Sequence, residues 1–343
     1  MKIVIAPDSY KESLSATEVA QAIEKGFREI FPDALYVKVP LADGGEGTVE
    51  AMIAATQGTK MSACVTGPLG VPVDACWGLS GDGQTAFIEM AAASGLGLVP
   101  PAQRNPLLTT SRGTGELILQ ALEHGARNII IGIGGSATND GGAGMVQALG
   151  ARLHDANGVD IGDGGGSLAC LNSIDLSALD VRLQECSIRV ACDVSNPLTG
   201  ETGASWIFGP QKGATEAMIL ELDRNLEHYA DVIKRTLRVD VKEVAGAGAA
   251  GGMGAALMAF LNAELRSGIE IVTQALNLEE HILDCSLVVT GEGRLDSQSI
   301  SGKVPVGVAS VAKKYHKPVI GIAGSLTSDV GVVHQYGIDA VVS

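Results

Sequence analysis

Short runs of β-branched and other apolar residues recur along the chain, and most of them end abruptly in small polar residues. Because these runs show no alternation of polar and apolar positions, they predict strands buried on both faces, as in a parallel sheet covered by helices. Loops that follow such strands lie at the carboxyl edge of the sheet, where α/β proteins bind ligands. The runs with their loops are KIVIA with PDSYKES, YVKVP with LADGGEGT, NIIIGI with GGSATNDGG, IRVAC with DVSNPLTG, SLVVT with GEGRLDSQSISGK, and PVIGIA with GSLTSD.

Helical patterns follow several of these loops. Ser15 and Glu18 have the spacing of a capping box, and an apolar face follows them. Gly58 and Gly125 are expected at the left-handed position that ends a helix. Strand, polar loop and helix in alternation predict an α/β architecture. The later helices are predicted over 48–57, 114–124, 214–237 and 306–315.

Residues 60–100 follow a different pattern, with short strands separated by Gly-Pro and Gly-Asp-Gly turns. Such turns are typical of antiparallel pairing. We therefore expect two lobes. One is a parallel-sheet, three-layer α/β/α domain formed by 1–62 plus 283–343, and the other is a mixed α/β domain over 63–282.

Composition limits the classes of partner. Of the 343 residues, 46% are hydrophobic and 18% charged, which is enough to fill a substantial core. A net charge of −15 argues against nucleic acid or an anionic membrane as a partner, and 3% aromatic residues argue against base stacking. An anion would have to be bound locally, by backbone N–H groups and a few placed Lys or Arg side chains.

The cysteines form no C-x-x-C pair and are expected to be buried thiols in a reducing compartment. Since the N-terminal apolar run is too short for a signal peptide and no run reaches membrane-spanning length, we expect a cytoplasmic protein. A homodimer is one assembly state that the sequence leaves open.

Two loops early in the chain carry candidate groups. Asp8, Ser9 and Lys11 lie just before the capped helix, where N–H groups and a lysine suit phosphate, although a simple turn would look the same. Asp43 and Glu46 flank two glycines, and paired carboxylates suit Mg²⁺ bound together with substrate phosphates. A structural turn is again the alternative.

The stretch NIIIGIGGSATNDGGAG offers two interpretations. Gly132, Gly134 and Ala137 fit the dinucleotide fingerprint, and Asp155 follows Gly132 by 23 residues. However, a dinucleotide turn has no need of so many hydroxyl, amide and acidic groups, whereas phosphates with a metal do. We therefore predict a phosphate cradle and keep a dinucleotide site as the alternative. The cradle residues are Gly134, Gly135, Ser136 and Thr138, with Asn139 as a candidate for substrate binding.

Two later loops complete the set. Asp193 directly follows a buried strand, where a partly desolvated carboxylate could accept a hydroxyl proton, or could simply form a turn. Arg294 is suited to binding a carboxylate bidentately, with Asp296 beside it, and Lys303 to neutralising phosphate. The loop is not a P-loop, because Ser297 stands where the first glycine belongs. Positioning groups, a metal and cations are what phosphoryl transfer requires.

These motifs also resemble a known family. APDSYKESLSA, PLADGGEGT, GIGGSATNDGGAGM, ACDVSNPLTG, FGPQKGA, GAGAAGG and TGEGRLDSQSISGKVPVGVA, in this order, are similar to the bacterial glycerate kinases of the type-1 family. The resemblance covers the chain from Met1 to about residue 328. Members of that family typically continue beyond the run IDAVVS with which this chain stops, so we expect the first domain to lack a closing strand or helix, which bears on its stability more than on the site.

The resemblance implies ATP- and Mg²⁺-dependent phosphorylation of D-glycerate, usually to 2-phosphoglycerate, by two α/β domains with the active site in the cleft between them. It implies no specific catalytic residues, so the roles rest on chemistry: Asp193 as base, Lys11 and Lys303 as cations, and Asp43 with Glu46 at the metal. Two alternatives stay open, an NAD-dependent hydroxy-acid dehydrogenase and a non-enzymatic two-lobed protein that binds small anions.

Overall fold

The structure is a computed structural model of the chain, and it describes residues 1–10, 13–42, 47–300 and 302–343. In chain order, the strands are β1 (Lys2–Pro7), β2 (Leu35–Lys38), β3 (Thr59–Thr66), β4 (Pro72–Leu79), β5 (Thr85–Glu89), β6 (Asn128–Gly132), β7 (Arg152–His154), β8 (Ser173–Asp175), β9 (Ser187–Ala191), β10 (Glu264–Arg266), β11 (Leu287–Leu295), β12 (Val319–Leu326) and β13 (Ala340–Val342). The helices are α1 (Ala16–Arg28), α2 (Thr48–Ala55), α3 (Ala91–Ser94), α4 (Arg112–Glu123), α5 (Ala143–Ala148), α6 (Ala204–Phe208), α7 (Glu216–Leu237), α8 (Ala249–Leu261), α9 (Gly268–Ala275), α10 (Leu278–Leu283) and α11 (Val304–Lys314).

The chain divides into two compact units. Unit 1 comprises Met1–Gln57 together with Ser267–Ser343, and unit 2 is Gly58–Arg266. The boundaries that we expect from the sequence lie later in the chain, after residues 62 and 282. Because α9 and α10 both pack against α11, the structural boundary comes before α9.

Unit 1 is built on a parallel sheet with the order β13-β12-β11-β1-β2. Ile3 and Ile5 in β1 form a core with Val19 and Ile23 of α1. Val4 alternates to the opposite face and is equally buried, and α11 packs on β11 and β1. Helices therefore cover both faces of the central strands, which confirms the three-layer prediction.

Unit 2 contains a mixed sheet with the order β10-β9-β6-β5-β4-β3. The first four of these strands are parallel, while β3, β4 and β5 pair antiparallel. The prediction of antiparallel pairing within residues 60–100 is thus confirmed. A separate antiparallel pair joins β7 to β8.

The predicted helix ends are confirmed in part. Ser15 and Glu18 form the reciprocal capping box at the start of α1. Gly125, with φ of +90°, follows α4 as expected. The prediction for Gly58 is wrong, because the left-handed residue after α2 is Gln57, with φ of +52°.

All six cysteines are free, as predicted, but only Cys285 is buried. Cys64 and Cys76 are exposed because they alternate to the outward face of the β3–β4 pair, which lies at the edge of its sheet. Within the described ranges, no helix has the length and apolar character needed to cross a membrane.

Candidate active site

The end of β1 and the middle of β11 place several polar groups at one edge of the unit 1 sheet. Pro7 pairs with Gly291, so Asp8 and Glu292 follow at neighbouring positions. The Asp8 N–H donates to the Gly291 carbonyl over 2.8 Å, and the Ser9 N–H donates to the Asp8 carboxylate over 2.6 Å. Asp8 and Ser9 are half-buried, which leaves part of each side chain accessible.

Three candidate residues, Lys11, Asp43 and Glu46, fall outside the described ranges. Their assignments to phosphate and to Mg²⁺ therefore stay predictions from the sequence. Inside those ranges, no three His, Cys, Asp or Glu side chains cluster as a metal site would require.

Glu292 is the centre of a buried polar cluster. Its side chain accepts a hydrogen bond from the Ser299 hydroxyl and lies 3.3 Å from the Lys303 ammonium. Burial raises the pKa of Glu292, while Ser299 and Lys303 act in the opposite direction. Lys303 is thus held next to a largely desolvated carboxylate, at the start of α11. The sequence contained Glu292 in a candidate loop, but no pattern indicated that it would be buried.

Tyr10 lies beside this cluster. Its hydroxyl donates to the Ile322 carbonyl over 2.7 Å. Burial, and then the charge of Glu292, raise the pKa of Tyr10 to about 12. The phenol is therefore protonated at neutral pH and ties the loop after β1 to β12.

Arg294 and Asp296 form an ion pair, with 3.3 Å between Nε and Oδ2. The Arg294 side chain is 65% exposed, whereas that of Asp296 is mostly buried. Exposed pairs of this kind contribute little to stability. The guanidinium remains accessible to an anion, and Asp296 limits its orientation.

In unit 2, β6 runs into residues 133–142, here called the glycine-rich loop. Gly134 and Gly135 are exposed, whereas Ser136 is buried, so its predicted hydroxyl contact with phosphate is not supported. The part of the chain that the structure describes offers no hydrogen-bond acceptor to the N–H groups of Gly134, Gly135 and Ser136. An added Cβ at Gly134 would meet no atom within 4 Å. The start of the loop is therefore open backbone with donors to spare, as a phosphate site requires.

The second half of the loop differs from the prediction. Thr138 and Asn139 are fully buried, and the Asn139 amide donates to the Ser205 hydroxyl over 2.9 Å. Neither side chain can reach a ligand at the surface of this unit. The sequence pattern showed that these residues are polar, but it could not show that packing against neighbouring segments would enclose them.

Asp140 holds this buried half together. Its carboxylate accepts hydrogen bonds from the Ser111 N–H and hydroxyl and from the N–H groups of Gly142 and Gly144, at 2.7 to 3.3 Å. Burial raises the pKa of Asp140, and these four donors counteract that effect. Because both carboxyl oxygens are engaged within the protein, Asp140 has a structural role in this half of the loop.

Lys212 approaches the same loop from the turn Pro210–Lys212 and is only 1% exposed. Its ammonium donates to the Thr138 carbonyl over 2.6 Å. Burial lowers the pKa of Lys212 to about 7, and the charge of Asp140 partly restores it. The Tyr229 phenol is also buried, and burial together with Asp140 raises its pKa. We gave Lys212 no role from the sequence, although it lies in the motif FGPQKGA.

Asp193 follows β9, the strand beside β6 in the sheet, and Gly132 pairs with Ala191. Asp193 and the glycine-rich loop thus leave the same edge of the sheet. Asp193 is exposed, and not partly desolvated as predicted, because it lies two residues beyond the end of β9 and outside the sheet.

The geometry does not fit the dinucleotide alternative. A dinucleotide site needs a helix immediately after the glycines and an acid at the end of the next parallel strand. Here ten residues separate β6 from the short helix α5. Asp155 is instead in the turn after β7, where its carboxylate accepts from the N–H groups of Asn157 and Val159.

A family model described as the glycerate kinase family matches residues 3–343. The chain belongs to the glycerate kinase family. It is 81% identical to glycerate 2-kinase of Escherichia coli K12 over 343 residues, which is all of this chain and 90% of the relative. A glycerate kinase of Bacillus subtilis is 59% identical with the same coverage.

A solved structure agrees in fold as well. The crystal structure of a protein provisionally named glycerate kinase 2 from Salmonella typhimurium LT2 has a TM-score of 0.95 and 68% identity, covering all of this chain and 90% of that one. The family resemblance and the α/β fold class are therefore confirmed, and the protein is a kinase of this family. The individual roles of the site residues stay predictions.

Proposed function

We propose that the chain transfers the γ-phosphoryl group of ATP to D-glycerate, giving 2-phosphoglycerate and ADP. The observation that carries this proposal is the 81% identity, across every residue of the chain, to a relative named glycerate 2-kinase. The open N–H groups at the start of the glycine-rich loop support it, since phosphoryl transfer depends mainly on positioned donors and cations.

Each unit contributes a set of groups to this proposal. In unit 2, the N–H groups of Gly134, Gly135 and Ser136 would bind ATP phosphates, and Asp193, at the same sheet edge, would accept the proton of the glycerate hydroxyl. This exposed carboxylate reaches substrate readily but needs the bound ligands to desolvate it.

In unit 1, Lys303 would neutralise phosphate from its place beside Glu292, and Arg294 would bind the glycerate carboxylate. Asp8 and Ser9 would lie next to the bound phosphates of ATP. Asp43 and Glu46 would hold Mg²⁺, which when bound with ATP neutralises charge on the transferred group. A cytoplasmic location and a homodimer stay predictions from the sequence.

Phosphorus NMR tests the proposal directly. The purified chain, incubated with ATP, Mg²⁺ and D-glycerate, should give the resonance of 2-phosphoglycerate and an equal amount of ADP. A 3-phosphoglycerate product would contradict the assigned position, and no glycerate-dependent ADP would contradict the activity.

A thermal-shift experiment separates the alternatives. ATP with Mg²⁺ at a hundred times its Kd should stabilise the folded chain by about 2.7 kcal/mol. Protection by NAD alone would favour the dehydrogenase, and protection by small anions without any nucleotide effect would favour the anion-binding protein.

A further inference from the structure

Three backbone carbonyls of the glycine-rich loop accept hydrogen bonds from other segments of unit 2. The Leu96 N–H donates to the Gly135 carbonyl and the Thr109 hydroxyl to the Ala137 carbonyl, both over 2.8 Å. Both of these donors are neutral. They fix the loop at these two carbonyls, while the N–H groups of Gly134, Gly135 and Ser136 have no acceptor within the described residues.

The third carbonyl is engaged differently. Thr138 accepts from the Lys212 ammonium at 2.6 Å, inside the protein. Lysine is among the residues least often fully buried, because its charged form loses hydration. A hydroxyl or amide could satisfy one carbonyl at lower cost, as Thr109 does at Ala137. The use of a lysine here therefore indicates a role for its positive charge beyond satisfying the Thr138 carbonyl.

No carboxylate in the described ranges forms a direct ion pair with Lys212. Asp140 is the acidic group that acts on the pKa of Lys212. Both of its carboxyl oxygens already accept hydrogen bonds, from Ser111 and from the N–H groups of Gly142 and Gly144. Within the described ranges the Lys212 ammonium therefore has no ion-pair partner in contact, and it lies beneath a loop whose Gly134 and Gly135 are exposed. Charges in such a low-dielectric interior are poorly screened.

We propose that Lys212 is a positioning residue for ATP: its ammonium holds the Thr138 carbonyl inward, keeps the donors of Gly134, Gly135 and Ser136 turned outward, and supplies positive potential to the phosphates they bind. This inference rests on the proposed kinase function and deepens it. Lys212 itself does not touch ATP, since its side chain is enclosed.

The test compares three variants by steady-state kinetics with ATP and D-glycerate varied in turn. Lys212→Met removes the donor and the charge, and should raise KM for ATP about tenfold, in line with the loss of a charge-assisted hydrogen bond. KM for glycerate and kcat should stay within about twofold, because an interaction equal in ground and transition states affects KM alone. Lys212→Gln keeps a neutral donor, and should still raise KM for ATP about threefold since the charge is lost.

Leu122→Ala is the matched control for lost stability. Leu122 is buried in the last turn of α4, which leads to the start of β6, whereas the glycine-rich loop follows the end of that strand. This variant should lower the melting temperature without changing KM for ATP. If Lys212→Met lowers the melting temperature without raising KM for ATP, as Leu122→Ala should, the proposal is wrong. The proposal is also wrong if the KM of Lys212→Gln for ATP equals that of the wild type.

Failure of the proposed function would look different. A wild-type chain that consumes no ATP with glycerate overturns the activity, and ATP binding measured calorimetrically still tests Lys212. A fully active wild type with an unchanged KM in both Lys212 variants overturns the inference about Lys212 alone. Should Lys212→Met not fold, Lys212→Gln decides the question.

Discussion

The Ser111 hydroxyl offers the sharpest test of how the glycine-rich loop is held. It donates to the buried Asp140 carboxylate over 2.7 Å and accepts the Met145 N–H over 3.0 Å. Ser111→Ala removes a hydrogen bond to a charged group, which is worth about 1.5–3 kcal/mol, and leaves a buried N–H without a partner at a further cost of about 1–3 kcal/mol. Since Asp140 keeps three N–H donors, we expect a loss of about 3 kcal/mol in the free energy of unfolding.

Ser94→Ala is the matched control, because Ser94 is equally buried and its hydroxyl contacts the neutral Thr114 hydroxyl at 2.8 Å. Its loss should cost about 1 kcal/mol. Both tryptophans, Trp77 and Trp206, belong to unit 2, so fluorescence during urea unfolding reports on the unit that contains both substitutions. This choice avoids mixing the unfolding of two units into one transition.

The pH dependence supplies a second check. The Asp140 pKa is already raised in the folded state, and loss of the Ser111 donor raises it further. A group with a raised folded pKa loses stabilisation as the pH rises from its unfolded to its folded value. The cost of Ser111→Ala should therefore be larger at about pH 7 than at about pH 4. Equal costs for Ser111→Ala and Ser94→Ala, or no pH dependence, would refute the account of a buried carboxylate held by donors.

Three further predictions concern ligands and unit 1. Gly134→Val has room for its side chain and should melt at the same temperature as the wild type. It should nevertheless block the approach of phosphate and raise the calorimetric Kd for ATP by at least about tenfold. An unchanged Kd would mean that the turn at Gly134 has only a structural role. Asp193→Asn should lower kcat by roughly 10²- to 10⁴-fold with little change in either KM, and a raised KM for glycerate at unchanged kcat would make Asp193 a residue that positions substrate. Lys303→Met leaves Glu292 without its cation, which raises the pKa of Glu292 further. In urea unfolding, the variant should therefore lose about 1 kcal/mol of unfolding free energy near pH 7 and less near pH 4. A loss that is independent of pH would contradict the pairing of Lys303 with Glu292.

The fold was largely accessible from the sequence, because short, β-branched apolar runs bounded by turn residues, such as NIIIGI and KIVIA, favour strands buried on both faces. The candidate site was accessible only in part. The open start of the loop, at Gly134 and Gly135, followed from glycine content. The Thr138 carbonyl accepts a hydrogen bond from Lys212, 74 residues away in sequence, and no local pattern predicts such a contact.

The dependence on contacts between distant segments also explains two local predictions that were wrong. Gln57, and not Gly58, adopts the left-handed conformation, since the end of α2 is set by where β3 must begin. Asp193 was expected to be partly desolvated because it follows an apolar strand, but the direction of the chain after β9 depends on tertiary packing. Sequence patterns report periodicity and turn chemistry, and they do not report which segments meet.

The division of the chain has a consequence for its synthesis. Unit 2 is one uninterrupted stretch, whereas in unit 1 strand β1 pairs with β11, the central strand of its sheet, so Ile5 can pair with Val289 only after β11 has been synthesised. A ribosome synthesises all of Gly58–Arg266 before β11, and domains generally fold as units during translation. The apolar strand β1 therefore stays unpaired on that side while unit 2 is synthesised, and Ile3 and Ile5 remain open to non-native contacts during this interval.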